Sequence, residues 1–148
     1  MKLKINNQNL FIEKAYINGQ WVDADDNSTL NVINPVNQEI IGHVPNCGAT
    51  ETNAAITAAA AAQKKWEQRP AKEKASVLRN FYDLICSNQD DLAKILTYEQ
   101  GKPLAEAAGE IAYSASFIEW FAEEAKRIYG DVIPGHLHDR RTLVIKQP

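Results

Sequence analysis

The spacing of apolar and polar residues divides the chain into a short strand-rich part and a longer helical part. Between residues 15 and 45 the apolar residues come in short runs that turn-forming residues interrupt. Asn18-Gly19 separates two such runs, and it predicts a tight β-hairpin because both residue types tolerate a positive φ. A further strand ends at Asn34-Pro35, where proline cannot donate to a ladder, and another covers residues 39–45.

From residue 50 onward the apolar residues recur every three to four positions, which is the period of an amphipathic helix. Thr50 is a suitable N-cap for the first helix. Proline favours the first turn of a helix and glycine its end, so Pro70, Gly101 and Pro103 mark further boundaries. The pattern predicts four helices, at about 50–66, 70–87, 89–100 and 103–129.

The fourth predicted helix is long and carries apolar residues on two opposite faces. One seam, which predicts a buried face, consists of Leu104, Ala108, Ile111, Ala115, Ile118, Ala122, Ala125 and Tyr129. A second set, Tyr113, Phe117 and Trp120, points almost the opposite way, at about 200° from the seam for ~100° per residue. Such a helix lies between two layers or lines a cavity with one face. Gly130 is the predicted residue after its last turn.

Composition indicates one ordinary globular domain without a bias towards nucleic acid or membranes. The 148 residues are 45% hydrophobic and 24% charged, and the net charge is −3 with both signs interspersed. No run approaches the ~18 to 20 apolar residues of a membrane span, and the N-terminus has no apolar signal region. With two cysteines and no zinc-binding spacing, we expect a reduced, cytoplasmic protein.

Few residues offer chemistry of their own. Cys47 falls in a predicted loop and Cys86 late in a predicted helix, so packing is favoured over nucleophilic catalysis for both. His136 and His138 fall in a predicted exposed loop where no other ligand completes a metal site. The chain also has no glycine-rich motif that would bind a phosphate group.

The aromatic residues of the fourth helix are better candidates for function. Core packing is the ordinary explanation for Tyr113, Phe117 and Trp120. Gly109, one turn before Tyr113 on the same stripe, favours another explanation, because glycine inside a helix costs ~1 kcal/mol relative to alanine. A close backbone approach or a space left for a ligand would account for that cost. From the residues alone, both explanations stay open.

Four segments, in this order and spacing, resemble the aldehyde dehydrogenase superfamily. They are INGQW at 17–21, NP at 34–35, TYEQGKPL at 97–104 and VIKQP at 144–148. The segment 99–104, together with FIEWFAEEAKRIYG at 117–130, is most similar to the succinate-semialdehyde dehydrogenases. The resemblance covers nearly the whole chain.

The resemblance implies a partial α/β fold. A β-hairpin and short strands are followed by four helices, the last one long, without the Rossmann-like sheet or the catalytic domain of the family. Residues 1–139 then form the N-terminal helical portion that flanks the cofactor-binding domain. Residues 140–148 resemble the start of the strands through which the family oligomerises, so we expect a homo-oligomer.

The reaction implied is the NAD(P)-dependent oxidation of succinate semialdehyde to succinate, with a cysteine thiolate attacking the aldehyde. In the family, the catalytic and nucleotide-binding residues lie downstream of the matching segment. We therefore expect no catalytic or cofactor-binding residue here, no bound cofactor and no activity in isolation. NAD or NADP is expected only in the full-length enzyme, and neither nucleic acid nor a membrane is an expected partner.

Two sets of residues carry over from the resemblance. The residues that match one wall of the family's substrate tunnel are Gly109, Tyr113, Phe117 and Trp120. The residues that match a monovalent cation site are Val32 and Ile33, through their carbonyls, and Glu99. An all-oxygen set suits a hard cation. The family takes a further ligand from downstream, so this site is expected to be incomplete.

Two other interpretations stay open. The chain could be a non-catalytic helical association module derived from an aldehyde dehydrogenase. It could also be the N-terminal part of another aldehyde dehydrogenase subfamily that acts on a different aldehyde. The sequence beyond residue 148 would distinguish the association module from an enzyme. Substrate profiling of the full-length chain would distinguish another subfamily from a succinate-semialdehyde dehydrogenase.

Overall fold

Residues 4–147, which the computed structural model describes, form three two-stranded antiparallel sheets and four α-helices. The strands are β1 (Ala15–Ile17), β2 (Gln20–Val22), β3 (Thr29–Ile33), β4 (Ile40–Pro45), β5 (Asp131–Pro134) and β6 (Arg141–Val144). The helices are α1 (Ala49–Glu67), α2 (Ala71–Ser87), α3 (Gln89–Gln100) and α4 (Leu104–Glu124). Residues 1–3 and Pro148, which the predicted segments 1–139 and 140–148 include, lie outside the described residues.

The first hairpin has the turn that its sequence predicts. Asn18 and Gly19 have φ angles of 51° and 79°, so both central residues of the turn are left-handed. This is the type of turn whose twist matches that of the flanking strands. Tyr16 and Trp21 are paired across β1 and β2, with ring centroids 4.9 Å apart. The prediction of a hairpin at this position is confirmed.

Gly101 lies where the end of α3 contacts the turn between β3 and β4. It ends α3 with a φ of 76°, a conformation that side chains disfavour. A Cβ at this position would also lie 2.9 Å from Cγ of Pro35, at the start of the turn. Glycine is therefore required both by the backbone conformation and by the close approach of the proline ring.

The predicted N-cap of the first helix was wrong. α1 begins at Ala49 with Gly48 as N-cap, not with Thr50. The carboxylate of Glu51 accepts hydrogen bonds from the backbone N–H groups of Gly48 (2.7 Å) and Asp25 (2.8 Å). The Gly48 N–H is the main reason why the pKa of Glu51 is lowered. This buried carboxylate fixes the start of the helix and joins it to the loop after β2.

Most of the buried hydrophobic residues in the described chain are alanines. α4 packs against both α2 and α3. The buried hydrophobic residues of 4–147 are Ile5, Ala24, Ala75, Ala93, Ala107, Ala115 and Ala122. Because the side chains at a helix contact set the distance between the axes, these alanines allow the three helices to approach closely. None of the helices in the described part is both long and apolar enough to cross a membrane.

The predicted end of the fourth helix was also wrong. α4 ends at Glu124, more than a turn before Tyr129, and residues 131–134 form the unpredicted strand β5. β5 pairs with β6, so that Asp131 lies opposite Val144. A Cβ at residue 130 would collide with the carbonyl oxygen of Val144. Gly130 therefore allows the two strands of this hairpin to pair closely and does not cap a helix.

Asp91 fastens the N-terminal segment to the first turn of α3. Its buried carboxylate accepts hydrogen bonds from the backbone N–H groups of Asn6 and Asn7, each at 2.8 Å, and from Nζ of Lys94 at 3.1 Å. The Asn7 N–H is the largest cause of the lowered pKa of Asp91. The folded state thus favours the ionised carboxylate.

We expect Ala107→Leu to destabilise the chain, because Ala107 is fully buried in α4 and a larger side chain would push the helices apart. The expected loss is about 1–3 kcal/mol in the free energy of unfolding. Ala112→Leu makes the same change at an exposed position of the same helix and should stay within about 0.5 kcal/mol. Urea unfolding followed by circular dichroism measures both. Equal losses would contradict close packing at the buried alanines of the three helices.

We expect Asp91→Ala to lower the melting temperature at pH 7. Because the folded state lowers the pKa of Asp91, its stabilising effect is present above the unfolded carboxyl pKa of about 3.9 and disappears as the pH falls through the folded pKa. The difference between the two proteins should therefore shrink on acidification. Asp90→Ala, an exposed neighbour in the same first turn, is the control and should change little. A pH-independent difference for Asp91→Ala would refute this account.

Candidate functional site

The aromatic face of α4 forms an open pocket at the surface. Tyr113, Phe117 and Trp120 are 64%, 47% and 63% exposed, although they belong to one continuous helix with a buried opposite face. The rings of Tyr113 and Phe117 meet edge to face, with centroids 4.8 Å apart. The pocket has a volume of about 500 Å³, and its lining residues are Tyr113, Ser116, Phe117, Glu119, Trp120 and Glu123. Three of the four residues matched to a tunnel wall thus lie together.

Gly109 does not join this pocket. It is exposed on α4, and a Cβ placed there would meet no atom within 4 Å in the described chain. A close approach within these residues therefore does not explain the glycine. Of the two explanations that the sequence offers, open space beyond the helix surface is the one that agrees with this geometry.

The residues matched to a cation site are only partly brought together. Val32 and Glu99 both line a small cavity of about 80 Å³ between the N-terminal segment, the β3–β4 hairpin and α3. Ile33 lies on the far side of a register shift in β3 and does not line it. Burial raises the pKa of Glu99, because the carboxylate has lost part of its hydration. A carboxylate and carbonyl oxygens suit a hard cation, so the chemistry fits, although the two residues alone do not complete a site.

The cysteines and the histidine pair lie apart from both of these features. Cys47 and Cys86 are free and exposed. Tyr82 hydrogen-bonds the Cys86 thiol one turn away, which raises the pKa of the phenol. His136 and His138 lie in the loop between β5 and β6. Nowhere in residues 4–147 do three His, Cys, Asp or Glu side chains come together as a set of metal ligands.

A charged groove between α2 and α4 was not predicted from the sequence. Nη1 of Arg79 lies 2.8 Å from Oε1 of Glu119, which joins the two helices. The groove has a volume of about 260 Å³, and its lining residues are Lys72, Ala75, Ser76, Arg79, Glu119, Ala122, Glu123 and Lys126. The sequence shows the local pair of Arg79 with Asp83, four residues apart, but only the packing of the helices brings Glu119 to Arg79.

Comparison with known proteins agrees with this geometry. Residues 21–148 match the aldehyde dehydrogenase family, and the chain belongs to that family. It is 58% identical over 146 residues to the succinate-semialdehyde dehydrogenase (NADP+) GabD of Escherichia coli K12. The aligned residues make up 99% of this chain and 30% of that protein. The same identity and coverage hold for the glutarate-semialdehyde dehydrogenase of Pseudomonas putida KT2440.

A solved structure extends the similarity to the fold. The crystal structure described as an E. coli NADP-dependent enzyme matches with a TM-score of 0.96 and 58% identity, over 98% of this chain and 30% of that one. The chain thus spans about 30% of the length of these relatives and matches the N-terminal part of their fold. The resemblance predicted from the four segments is confirmed, and so is the partial fold of short strands and four helices.

We expect Glu99→Gln to raise the melting temperature slightly at pH 7 in choline chloride, because partial loss of hydration penalises the ionised carboxylate of this otherwise exposed residue. The raised folded-state pKa means that the stability of the wild-type chain falls as the pH rises from the unfolded towards the folded pKa, so the advantage of Gln should vanish on acidification. Glu106→Gln, on the exposed face of α4, is the control. If a cation binds, KCl at equal ionic strength should stabilise the wild type and not Glu99→Gln. Equal responses would refute a cation at Glu99.

Proposed function

We propose that the chain works as the N-terminal part of an NAD(P)-dependent enzyme that oxidises succinate semialdehyde to succinate. The observation that carries the proposal is the 58% identity to a succinate-semialdehyde dehydrogenase over nearly the whole chain, together with the TM-score of 0.96. The nicotinamide, when bound, supplies the hydride acceptor. A cytoplasmic location and a homo-oligomeric state belong to the same proposal.

Glutarate semialdehyde is the second candidate substrate. The glutarate-semialdehyde dehydrogenase of P. putida is as similar to this chain as the succinate-semialdehyde enzyme of E. coli. The two aldehydes share a terminal carboxylate and differ by one methylene, a difference worth only about 10–200-fold in an apolar pocket. The proposed substrate class is therefore a short aldehyde with a carboxylate at its far end, with succinate semialdehyde as its first member.

In this proposal the pocket of Tyr113, Phe117 and Trp120 forms one wall of the passage that leads the aldehyde to the catalytic thiolate. The three rings give the wall an apolar surface, and they are positioned by the helix and by the edge-to-face contact between two of them. Such a surface can pack against the methylene chain, exclude water and hold the aldehyde in a reactive orientation. Gly109 would leave room at one end of this wall. Val32 and Glu99 would contribute oxygens to a structural monovalent cation.

The hairpin of β5 and β6 supports a role in association. All residues of its two strands are exposed, including Val132 at 67% and Leu143 at 72%. Exposed apolar residues on a short, open hairpin are a typical surface for pairing with another subunit. The association module without catalysis remains the alternative, and activity measurements separate it from the proposed enzyme.

The chain of 148 residues should form no NADH or NADPH from succinate semialdehyde, whereas a fused enzyme should do so. In the fused enzyme, residues 1–148 replace the matching segment of the E. coli relative. Because the two segments are 58% identical and share their fold, we expect kcat/KM within about tenfold of the parent. Absorbance at 340 nm measures both. A folded but inactive fusion would contradict the proposal, and turnover by the chain alone would refute the expected absence of catalytic residues.

In the fused enzyme, Tyr113→Ala and Trp120→Ala should impair substrate use more than stability. Loss of positioning lowers kcat as well as raising KM. Ile111→Ala, on the opposite seam of α4, is the control. Ile111 is half-buried, so the loss of stability should be below the ~2–5 kcal/mol of a fully buried isoleucine, and the kinetics of the folded enzyme should be little changed. If the aromatic substitutions only lower the melting temperature and kcat/KM stays intact, these rings are ordinary packing residues.

A further inference from the structure

Glu119 and Glu123 stand between two cavities of opposite character. On one side they line the aromatic pocket with Tyr113, Phe117 and Trp120. On the other side they line the groove between α2 and α4, whose cationic residues are Lys72, Arg79 and Lys126. The two carboxylates thus form a wall that the two cavities share.

Arg79 is held in place by three contacts. Its Nη1 lies 2.8 Å from Oε1 of Glu119, and its Nε lies 3.4 Å from Oδ1 of Asp83. Its guanidinium carbon lies 4.8 Å from the ring centroid of Tyr82. A guanidinium fixed on a carboxylate, an aromatic face and a second carboxylate has little freedom to leave Glu119.

We propose that Arg79 sets the charge preference of the aromatic pocket by neutralising Glu119. The inference rests on the proposed function, since it identifies Arg79 as a positioning residue that admits an aldehyde with a carboxylate. Without Arg79, the Glu119 carboxylate would lie unpaired at the edge of a pocket that must accept another anion. Like charges repel more strongly where protein excludes water, so the effect would be largest where the proposed passage encloses the pocket.

The contact is poorly suited to a purely structural role. The side chains of Arg79 and Glu119 are 51% and 36% exposed, and pairs with this exposure contribute little to stability. The close packing of α2 on α4 is supplied by the buried alanines at 75, 115 and 122. Removal of Arg79 should therefore change the potential in the pocket while leaving the fold in place.

The first test uses the 148-residue chain and needs no activity. Trp21→Phe and Trp66→Phe leave Trp120 as the single tryptophan of the sequence. Its fluorescence is quenched by iodide, an anion, and by acrylamide, which is neutral. Arg79→Ala should lower the iodide quenching constant by about twofold at low salt and leave acrylamide quenching unchanged. Arg79→Lys and the double variant Arg79→Ala/Glu119→Gln should quench like the parent.

The second test uses the fused enzyme with succinate semialdehyde and with butanal, a neutral aldehyde of equal chain length. Arg79→Ala should raise the KM for succinate semialdehyde by about fivefold or more, with kcat and the KM for butanal nearly unchanged. Added salt screens charges and should therefore reduce this rise in KM. Glu119→Gln, introduced together with Arg79→Ala, should restore the parent KM. Arg69→Ala, an exposed arginine paired with Glu73, is the matched control and should affect neither substrate.

Each outcome supports or overturns the inference. Unchanged iodide quenching in Arg79→Ala overturns it, whether or not the fused enzyme is active. If iodide quenching changes but the KM values of both aldehydes change equally, the role of Arg79 in substrate specificity is overturned. Arg79 then affects only the electrostatic potential near Trp120. An inactive fused parent contradicts the proposed function, and the quenching result still decides whether Arg79 neutralises Glu119.

Discussion

The alanine seam between α2, α3 and α4 is the constraint on which the rest of this structure depends. Buried alanines at positions 75, 93, 107, 115 and 122 let three helices pack closely, but a methyl group contributes only about 0.8 kcal/mol of transfer free energy. Among the described residues no large side chain is fully buried. The close fit between helix surfaces therefore determines how the helices are arranged. The larger apolar side chains remain on the outside.

Those outer side chains connect the packing to the function. Since alanine fills the inner face of α4, its aromatic residues point outward and create the pocket, and the β5–β6 hairpin exposes a second apolar surface. Two buried carboxylates fasten other segments through backbone groups: Asp91 holds the N-terminal segment at the start of α3, and Glu51 joins the start of α1 to the loop after β2. The pocket is thus positioned by close helix packing and by hydrogen bonds to backbone groups, and the proposed enzyme uses it as one wall of a passage.

The hairpin and the four helices were predictable from local signals. Each of Asn18-Gly19, Pro70, Gly101 and Pro103 determines the backbone conformation of only the few residues around it. The exposed aromatic face of α4 also followed from spacing. The predicted buried seam was right for Ala115 and Ala122 and wrong for Leu104 and Tyr129, which are exposed. The end of α4 did not follow from spacing, because it depends on the pairing of residues 131–134 with 141–144, which the sequence does not display. The contacts of Glu51 with Asp25, of Asp91 with Asn7 and of Arg79 with Glu119 were missed for the same reason, since these partners lie far apart in the chain. The contact of Glu51 with Gly48 is local and was missed because Thr50 was the predicted N-cap. The family segments led to the prediction of tunnel-wall and cation residues as sets, and both roles stay predictions. They did not show that Ile33 lies outside the cavity of Val32 and Glu99.

The central claim of the proposal is that other parts of an aldehyde dehydrogenase cover the outer apolar surfaces of this scaffold. Hydrogen–deuterium exchange, compared between the 148-residue chain and the fused enzyme, tests it most directly. We predict that backbone amides of β5, β6 and the C-terminal half of α4 exchange at least about tenfold more slowly in the fused enzyme. Amides around Ala75 and Ala93, inside the seam, should change far less. Equal exchange of β5 and β6 in the two proteins would contradict the account.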